Sequence, residues 1–421
     1  MSTNASSSHI SSSSSSSSLE DELDLTSAIL AQNKALLSAY TNNNLAMDYY
    51  MNTIVNQPKH KGSISGHRVI YRDRAAADQR LWDDYFAENP RYNAAMFRRR
   101  FRMSRNLFLR LVGAVEGHDV YFTQRRDGCG KLGLSSLQKV TAAFRMLAYG
   151  VSADSTDEYI KIGESTAIES TKRFCRAIVE VFGQIYLRAP NANDVARLLQ
   201  INEKRGFPGM LGSLDCMHWT WQNCPTAWAG QYSGRRSNND INVLEASHLF
   251  ADLAKGIAPS AHYVIQGKVF DTGYYLADSI YPKWSTLVQT IHDPRGPKKK
   301  LFAKMQEACR KDVERAFGVL QLRFAIIKGP TRFWEKFVLH DLMSACIIMH
   351  NMIIEDERDT QVAIQDWSET PVSEININRD DTVVFQEFLA RHRQIRDKEA
   401  HYELRNALIE HLWERYGNSN D

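Results

Sequence analysis

Residues 209–219, GMLGSLDCMHW, decide how the rest of the chain is read. Met210, Leu211, Leu214 and Met217 make a short apolar run opened by Gly209, a length that suits a buried strand better than a surface helix. The run carries Asp215 into an interior. A carboxylate there is costly unless it is paired, hydrogen-bonded or bound to a cation, so Asp215 requires partners. Three downstream acids sit in apolar frames of their own: Asp240 in SNNDINVL, Asp278 in YYLADSIYP and Glu314 in KDVERAFGVL. Any one of them alone reads most simply as an acid satisfied by a helix N-terminus or an arginine. With four in separate frames the balance moves toward a metal site.

Asp240 falls at or near the N-cap of a helix expected to run to about Leu253, so a cap and an auxiliary ligand are both open for it. Residues 264–269 read as a short strand with a Gln-Gly turn, and 274–277 as a second strand that ends at Asp278. From Leu301 one long helix is expected through Phe302, Met305, Cys309, Val313, Phe317 and Leu320, with Glu314 one residue round from that stripe. Cys216, His218 and Cys224 lack a matching second half and read as packing residues rather than metal ligands. Residues 339–354 read as a buried helix ending in the acidic EDERD. A final amphipathic helix over 383–413 carries Leu404, Leu408 and Leu412, a stripe that suggests a docking or oligomer surface.

Upstream, residues 1–18 are almost all serine, and 1–65 as a whole read as a disordered arm too poor in apolar residues to offset its ordering entropy. In the region 66–190, Leu81, Trp82, Tyr85 and Phe86 lie at helical spacing and Pro90 ends that helix. Then comes FRRRFRMSRNLFLRL. Seven arginines (91, 98, 99, 100, 102, 105, 110) fall between Asn89 and Val115 without an Asp or Glu. Read as one amphipathic helix, its like charges repel, and a phosphate backbone or an acidic partner surface would relieve them. Residues 135–187 show a helix closed by Gly150, a short helix over 154–160, a turn at Gly163 and a longer helix with Ile168, Phe174, Ile178 and Phe182. That outline fits a helix-turn-helix docked on DNA and fits a plain three-helix scaffold equally. Thr171, Lys172, Arg173 and Arg176 are expected on its outer face, and residues 191–205 as a polar connection.

A chain of 421 residues has room for two or three domains. Its net charge of +3 announces no nucleic-acid binder, so that case rests on the local clusters. Six cysteines without C-x-x-C spacing favour a reducing compartment over a disulfide framework. No apolar run is read as approaching membrane-spanning length and the N-terminus shows no secretory signal, so a soluble, intracellular protein with no membrane partner is expected. Hydrolase-elbow, P-loop and dinucleotide fingerprints are absent.

Asp215 on a first strand, Asp278 just after a later one and Glu314 on a following helix resemble the DDE arrangement of ribonuclease-H-like transposases. The wording is closest to the PIF/Harbinger transposases of plants, which LGSLDCMHWTWQNCPTAW, SNNDINVL, YYLADSIYP, KKKLFA, RKDVERAFGVLQLRFAI and ACIIMHNMIIEDER resemble, with FRRRFRMSRNLF and IGEST upstream. The resemblance spans roughly residues 69–359. It implies an α/β ribonuclease-H-like DDE domain over 206–358, preceded by an all-α helix-turn-helix-like domain over 66–190 and followed by a polar linker and helix over 359–421. It implies Mg²⁺ or Mn²⁺, with Asp215 bridging two ions, Asp278 and Glu314 each completing one, and Asp240 as an auxiliary ligand. The implied activity is metal-dependent DNA cleavage and strand transfer at transposon ends, in the nucleus, with a Myb-like partner protein. Arg98, Arg99, Arg100, Arg102, Lys172, Arg173, Lys298, Lys299 and Lys300 are the expected DNA contacts, and Arg98–Arg100 and Lys298–Lys300 also read as import-like clusters.

One departure matters. The family fold places two antiparallel strands between the first Asp and the helix that Asp240 opens, but here only 24 residues separate the two acids, and they lack the alternating apolar run that strands need. The loss falls at about 234–237. It exposes an edge of the first strand and weakens the metal cage, so impaired cleavage is expected. The alternative is a catalytically inactive, domesticated relative acting as a nuclear DNA- or chromatin-binding adaptor.

Overall fold

The computed structural model describes residues 70–232, 239–247, 249–255, 261–358 and 381–417. The expected arm over 1–65, the junction at 234–237 and residues 359–380 of the linker lie outside them. The elements belong to one compact unit, Arg72–Asp421.

Turn chemistry divides the helical half. Helix α1 (Arg74–Tyr85) is capped by Asp73, whose carboxylate accepts from the Ala76 N–H at 3.1 Å. The arginine-rich stretch is two helices rather than the expected one. α2 (Ala94–Phe101) stops at Arg102, which is left-handed at φ 56°, and Ser104 Oγ then caps α3 (Arg105–His118) by accepting from Leu107 N–H at 3.2 Å. The left-handed Arg102 ends the first helix, and the Ser104 cap satisfies a free N–H at the start of the second. The break lets Phe97, Phe101 and Phe108 share one buried cluster with Phe144 of α4 (Ser136–Tyr149). That helix begins with a Ser135/Gln138 capping box and ends at left-handed Gly150, where the sequence placed its end. A 3₁₀ turn and the short α5 (Asp157–Ile160) lead to α6 (Glu164–Tyr186).

Residues 191–205 are no polar connection. They form α7 (Ala192–Lys204), opened by a reciprocal cap between Asn191 and Asp194. There follow β1 (Met210–Ser213), α8 (Thr226–Tyr232), α9 (Asp240–Ala246), α10 (Leu249–Lys255), β2 (Tyr263–Ile265), β3 (Lys268–Phe270), β4 (Tyr274–Ala277) and β5 (Leu287–Gln289). The single strand expected over 264–269 is the hairpin β2–β3. Gln266 and Gly267 both take positive φ, 53° and 75°, the pattern of a two-residue turn that matches strand twist. The long helix expected from Leu301 is α11 (Pro297–Arg310) and α12 (Asp312–Arg323), parted at Lys311. The chain closes with α13 (Lys336–Glu357), α14 (Asp381–Ile395) and α15 (Lys398–Tyr416).

The hub of the helical half is α6, which packs along α13. Phe174, Cys175 and Ile178 share a core with Leu342, Cys346 and Met349, so this core runs across the expected boundary between 66–190 and 206–358. α13 has 22 residues and a mean hydropathy of 1.6 over its most apolar window, enough by length and composition to cross a membrane; this corrects the reading that no run approaches that length. Within the protein 61% of that window is buried. Thr171 is not on an outer face either: it is buried and donates to Ala167 O at 2.8 Å. This packing of α6 favours the scaffold alternative over an exposed recognition helix.

The sheet is parallel, in the order β1-β4-β5, and β1 is an edge strand. Its open edge is covered. The Asn202 side chain of α7 donates to Met210 O at 2.9 Å, with both residues buried. At the strand's start Gly209 takes φ 82° against the Tyr263 ring, where an added Cβ would lie 2.2 Å from a ring atom. A helix amide and an aromatic ring thus occupy an edge that would otherwise template pairing with another chain. One face of the sheet is sealed by α11 and α15: Leu404, Leu408, Ile409 and Leu412 are buried with Phe207, Met210, Leu276 and Phe302. The helix expected over 383–413 is therefore two helices, divided where Asp397 caps α15, and its leucine stripe is core rather than a docking or oligomer surface. A three-stranded sheet has few apolar residues of its own, and this helix supplies the missing cover.

Candidate active site

The carboxyl ends of β1 and β4 lie side by side. Ser213 pairs with Leu276, and Leu214 N–H donates to Leu276 O at 2.8 Å, so the register sets Asp215 opposite Asp278 at the end of the ladder. Gln306 of α11 ties this end together from below, its amide donating to Ala277 O and Val288 O, each at 3.1 Å. Ser213 Oγ adds a bond to Cys309 O at 3.0 Å.

Around Asp215 the acids are close enough to repel. Burial pushes its carboxyl above the usual range, and the Glu314 and Asp240 carboxylates push the same way, against the Cys216 N–H bond at 2.9 Å and the Arg310 charge. Each neighbour nevertheless has a partner of its own. Glu314, exposed in the first turn of α12, accepts from Arg310 at 2.7 Å, and Arg310 also reaches Glu307 at 3.3 Å. Asp240 meets His218 Nε2 at 3.1 Å. Asp278 accepts from the Ser279 N–H at 2.6 Å and its hydroxyl at 3.4 Å. Among the described residues no three of His, Cys, Asp and Glu are grouped to hold a metal ion. The register brings Asp215 and Asp278 side by side, but the described residues do not group Asp215, Asp278 and Glu314 as one set of ligands; each acid keeps a hydrogen-bond or ion-pair partner of its own. The cap of α9 is Asn239, which accepts from Asn242 N–H, so Asp240 is left for His218.

His218, Arg310, Gln306 and Tyr281, whose hydroxyl donates to Cys216 Sγ at 3.3 Å, were not picked out as site residues from the sequence. The four-residue spacing of Arg310 and Glu314 was the one available signal.

A pH dependence follows. A carboxyl whose folded-state pKa is raised opposes folding once ionised, so its cost is absent below the ordinary carboxylate pKa and grows as pH rises through the raised value. Asp215→Asn is expected to leave stability unchanged near pH 3 and to raise it progressively toward pH 7, read as denaturation midpoints across that range. A constant difference would mean that Asp215 titrates normally.

The expected DNA contacts are mostly engaged internally. Arg98 pairs with Glu357 at 3.1 Å, Lys172 with Glu335 at 2.9 Å, Arg173 with Glu169 at 2.6 Å and Asp119 at 3.2 Å, and Lys298 with Glu410. Arg100 donates to the Tyr85 hydroxyl and lies over the Tyr92 ring, 3.9 Å from its centre, and Arg102 lies over Tyr149. Like charge on this surface is relieved by the chain's own acids and rings. Arg99, Lys299 and Lys300 remain exposed without an ion pair among the described residues.

Two family models match the chain. One, described as plant transposon protein, matches residues 184–237 and 234–361; the other, a domain of unknown function, matches 78–116. Two curated proteins named "Putative nuclease HARBI1", from Bos taurus and Homo sapiens, are each 22% identical, over 244 and 247 residues, covering 54% of this chain and 69% of theirs. No solved structure matches. The transposon-protein match covers β1, β4 and both acid-bearing helices, α9 and α12, and with the two nuclease relatives it makes this chain a Harbinger-type transposase relative.

Proposed function

We propose that this chain is a DNA-binding descendant of a DDE transposase, with an α/β ribonuclease-H-like domain that cleaves phosphodiesters poorly or not at all. One observation carries the reading: register sets Asp215 beside Asp278, with Glu314 pressing on Asp215, yet the acids around it already have partners within the chain, Arg310 for Glu314, His218 for Asp240 and Ser279 for Asp278. When bound at such acids, divalent ions activate the attacking oxygen and stabilise the leaving one. The three-stranded sheet β1-β4-β5 supports the impairment, and so does the division of the family match into two segments, 184–237 and 234–361, which meet where the sequence reading puts the loss of a strand pair. Lys299 and Lys300 support DNA as the ligand. They stand in the first turn of α11, where the helix's free N–H groups add positive charge that a phosphate would neutralise.

The test uses the full chain, duplex DNA and supercoiled plasmid. Salt-dependent duplex binding is expected, with Mn²⁺-dependent nicking no greater than that of Asp215→Ala. Efficient nicking abolished by Asp215→Ala would overturn the impairment, and no DNA binding at any salt would overturn the whole reading. A second reading, a nuclear chromatin adaptor acting with a Myb-like partner, draws on the same internally partnered acids. It requires DNA binding that Mn²⁺ does not alter.

A further inference from the structure

Away from the acids, the helical half contains a cavity of about 440 Å³ walled by tyrosines. Tyr85, Tyr92, Tyr149 and Tyr159 surround it, and two guanidiniums converge inside: Arg100 donates to the Tyr85 hydroxyl at 2.5 Å and Arg145 donates to the same oxygen at 3.2 Å. Two like cations on one neutral oxygen repel, and neither has a carboxylate partner among the described residues. The acid behind the wall, Asp84, is already engaged: it accepts from the Tyr159 hydroxyl at 2.5 Å and lies 3.9 Å from Arg91. The pocket is therefore rich in positive charge and aromatic faces and short of an anion. Arg102, over the Tyr149 ring at 5.2 Å, adds a third guanidinium beside it.

We propose that this pocket holds one unpaired nucleotide of a DNA strand, its base against the tyrosine rings and its phosphate on Arg100 and Arg145. A cavity of this size lies within the range of small-ligand sites, about 300–1,000 Å³. Aromatic faces with arginine are how proteins hold unstacked bases, whichever base it is. The hydroxyls of Ser155 and Thr156, which line the cavity while donating to Ser152 O and Ala153 O, keep their oxygens as acceptors for a base N–H. A phosphotyrosine peptide would offer a ring and a phosphate too. A strand is the better fit because Arg102, over the ring of Tyr149 that lines the pocket, sets a further guanidinium beside it where a flanking phosphate would lie.

The inference rests on DNA being the ligand but not on metal chemistry, so the test is run with the full chain in a metal chelator. Fluorescence anisotropy compares a perfect duplex, the same duplex carrying one unpaired 2-aminopurine, and a phosphotyrosine peptide. The duplex with the unpaired base should bind roughly tenfold tighter than the perfect one, the effect of one base on an aromatic platform, with 2-aminopurine emission quenched on binding. Tyr149→Ala, at the exposed last residue of its helix, and Arg145→Gln should each remove that preference and the 2-aminopurine quenching, with a melting temperature close to the parent's showing that the chain still folds. Equal binding of the two duplexes, a preference that survives Tyr149→Ala, or tighter binding of the phosphopeptide would overturn the proposal. Failure to bind either duplex would instead overturn the DNA reading itself.

Discussion

A chain ending at Asp397 is expected to lose the sheet while keeping the helical core. Without α15, Leu404, Leu408, Ile409 and Leu412 leave a cluster that otherwise consists of Phe207, Met210, Tyr274, Leu276 and a few neighbours. Truncating one buried Leu or Ile to Ala costs about 2–5 kcal/mol, so losing four of them rivals the roughly 5–15 kcal/mol that holds a whole domain. The cluster built on Phe101, Phe144, Phe174 and Met349 takes no residue from α15, and its amides should stay protected. Hydrogen exchange followed by mass spectrometry separates the two halves: fast exchange at Leu276 and Val288, slow exchange at Phe174 and Met349. In the full-length chain, Leu408→Ala should lower stability by about 2–5 kcal/mol with no change in oligomeric mass. A truncated chain with a protected sheet and a smaller oligomer would make this helix an interface after all.

On the proposed reading, inserting a strand pair taken from a full-length relative between Gly234 and Ser237 is expected to raise Mn²⁺-dependent nicking by roughly ten- to a hundredfold, equivalent to about 1.4–2.7 kcal/mol in the barrier. β1 is a four-residue edge strand whose outer side is held by the Asn202 amide and the Tyr263 ring rather than by a ladder of hydrogen bonds. Carboxylates that act on a phosphodiester must be held to about half an ångström, which an edge strand does poorly and an interior strand does well. Plasmid nicking by the repaired chain, compared with the same chain carrying Asp215→Ala, reads the effect. If the repaired chain folds and still does not cut, the obstacle lies in the partners Arg310 and His218 rather than in the sheet.

Much of this architecture was legible in local signals. The apolar frame before Asp215, the Gly150 stop, the strand delivering Asp278 and the Gln266-Gly267 turn each depend on residues a few positions apart, and each stands where the sequence puts it. One local signal is masked by composition: the cap at Asn191 opens a helix in residues 191–205, which read as polar, and Val195 on its buried face with Asn202 beside β1 makes that helix close the strand's edge.

Residue order reveals which acids stand at strand and helix ends, where helices begin and stop, and which family vocabulary surrounds them. What those charges meet is settled by the packed fold. Arg98 finds Glu357, Lys298 finds Glu410, and α15 returns from more than a hundred residues away to cover the sheet. An exposed arginine, one facing phosphate and one paired to a distant glutamate have the same neighbours in the chain. Charge pairing and burial are set by proximity in space, and local periodicity encodes none of it.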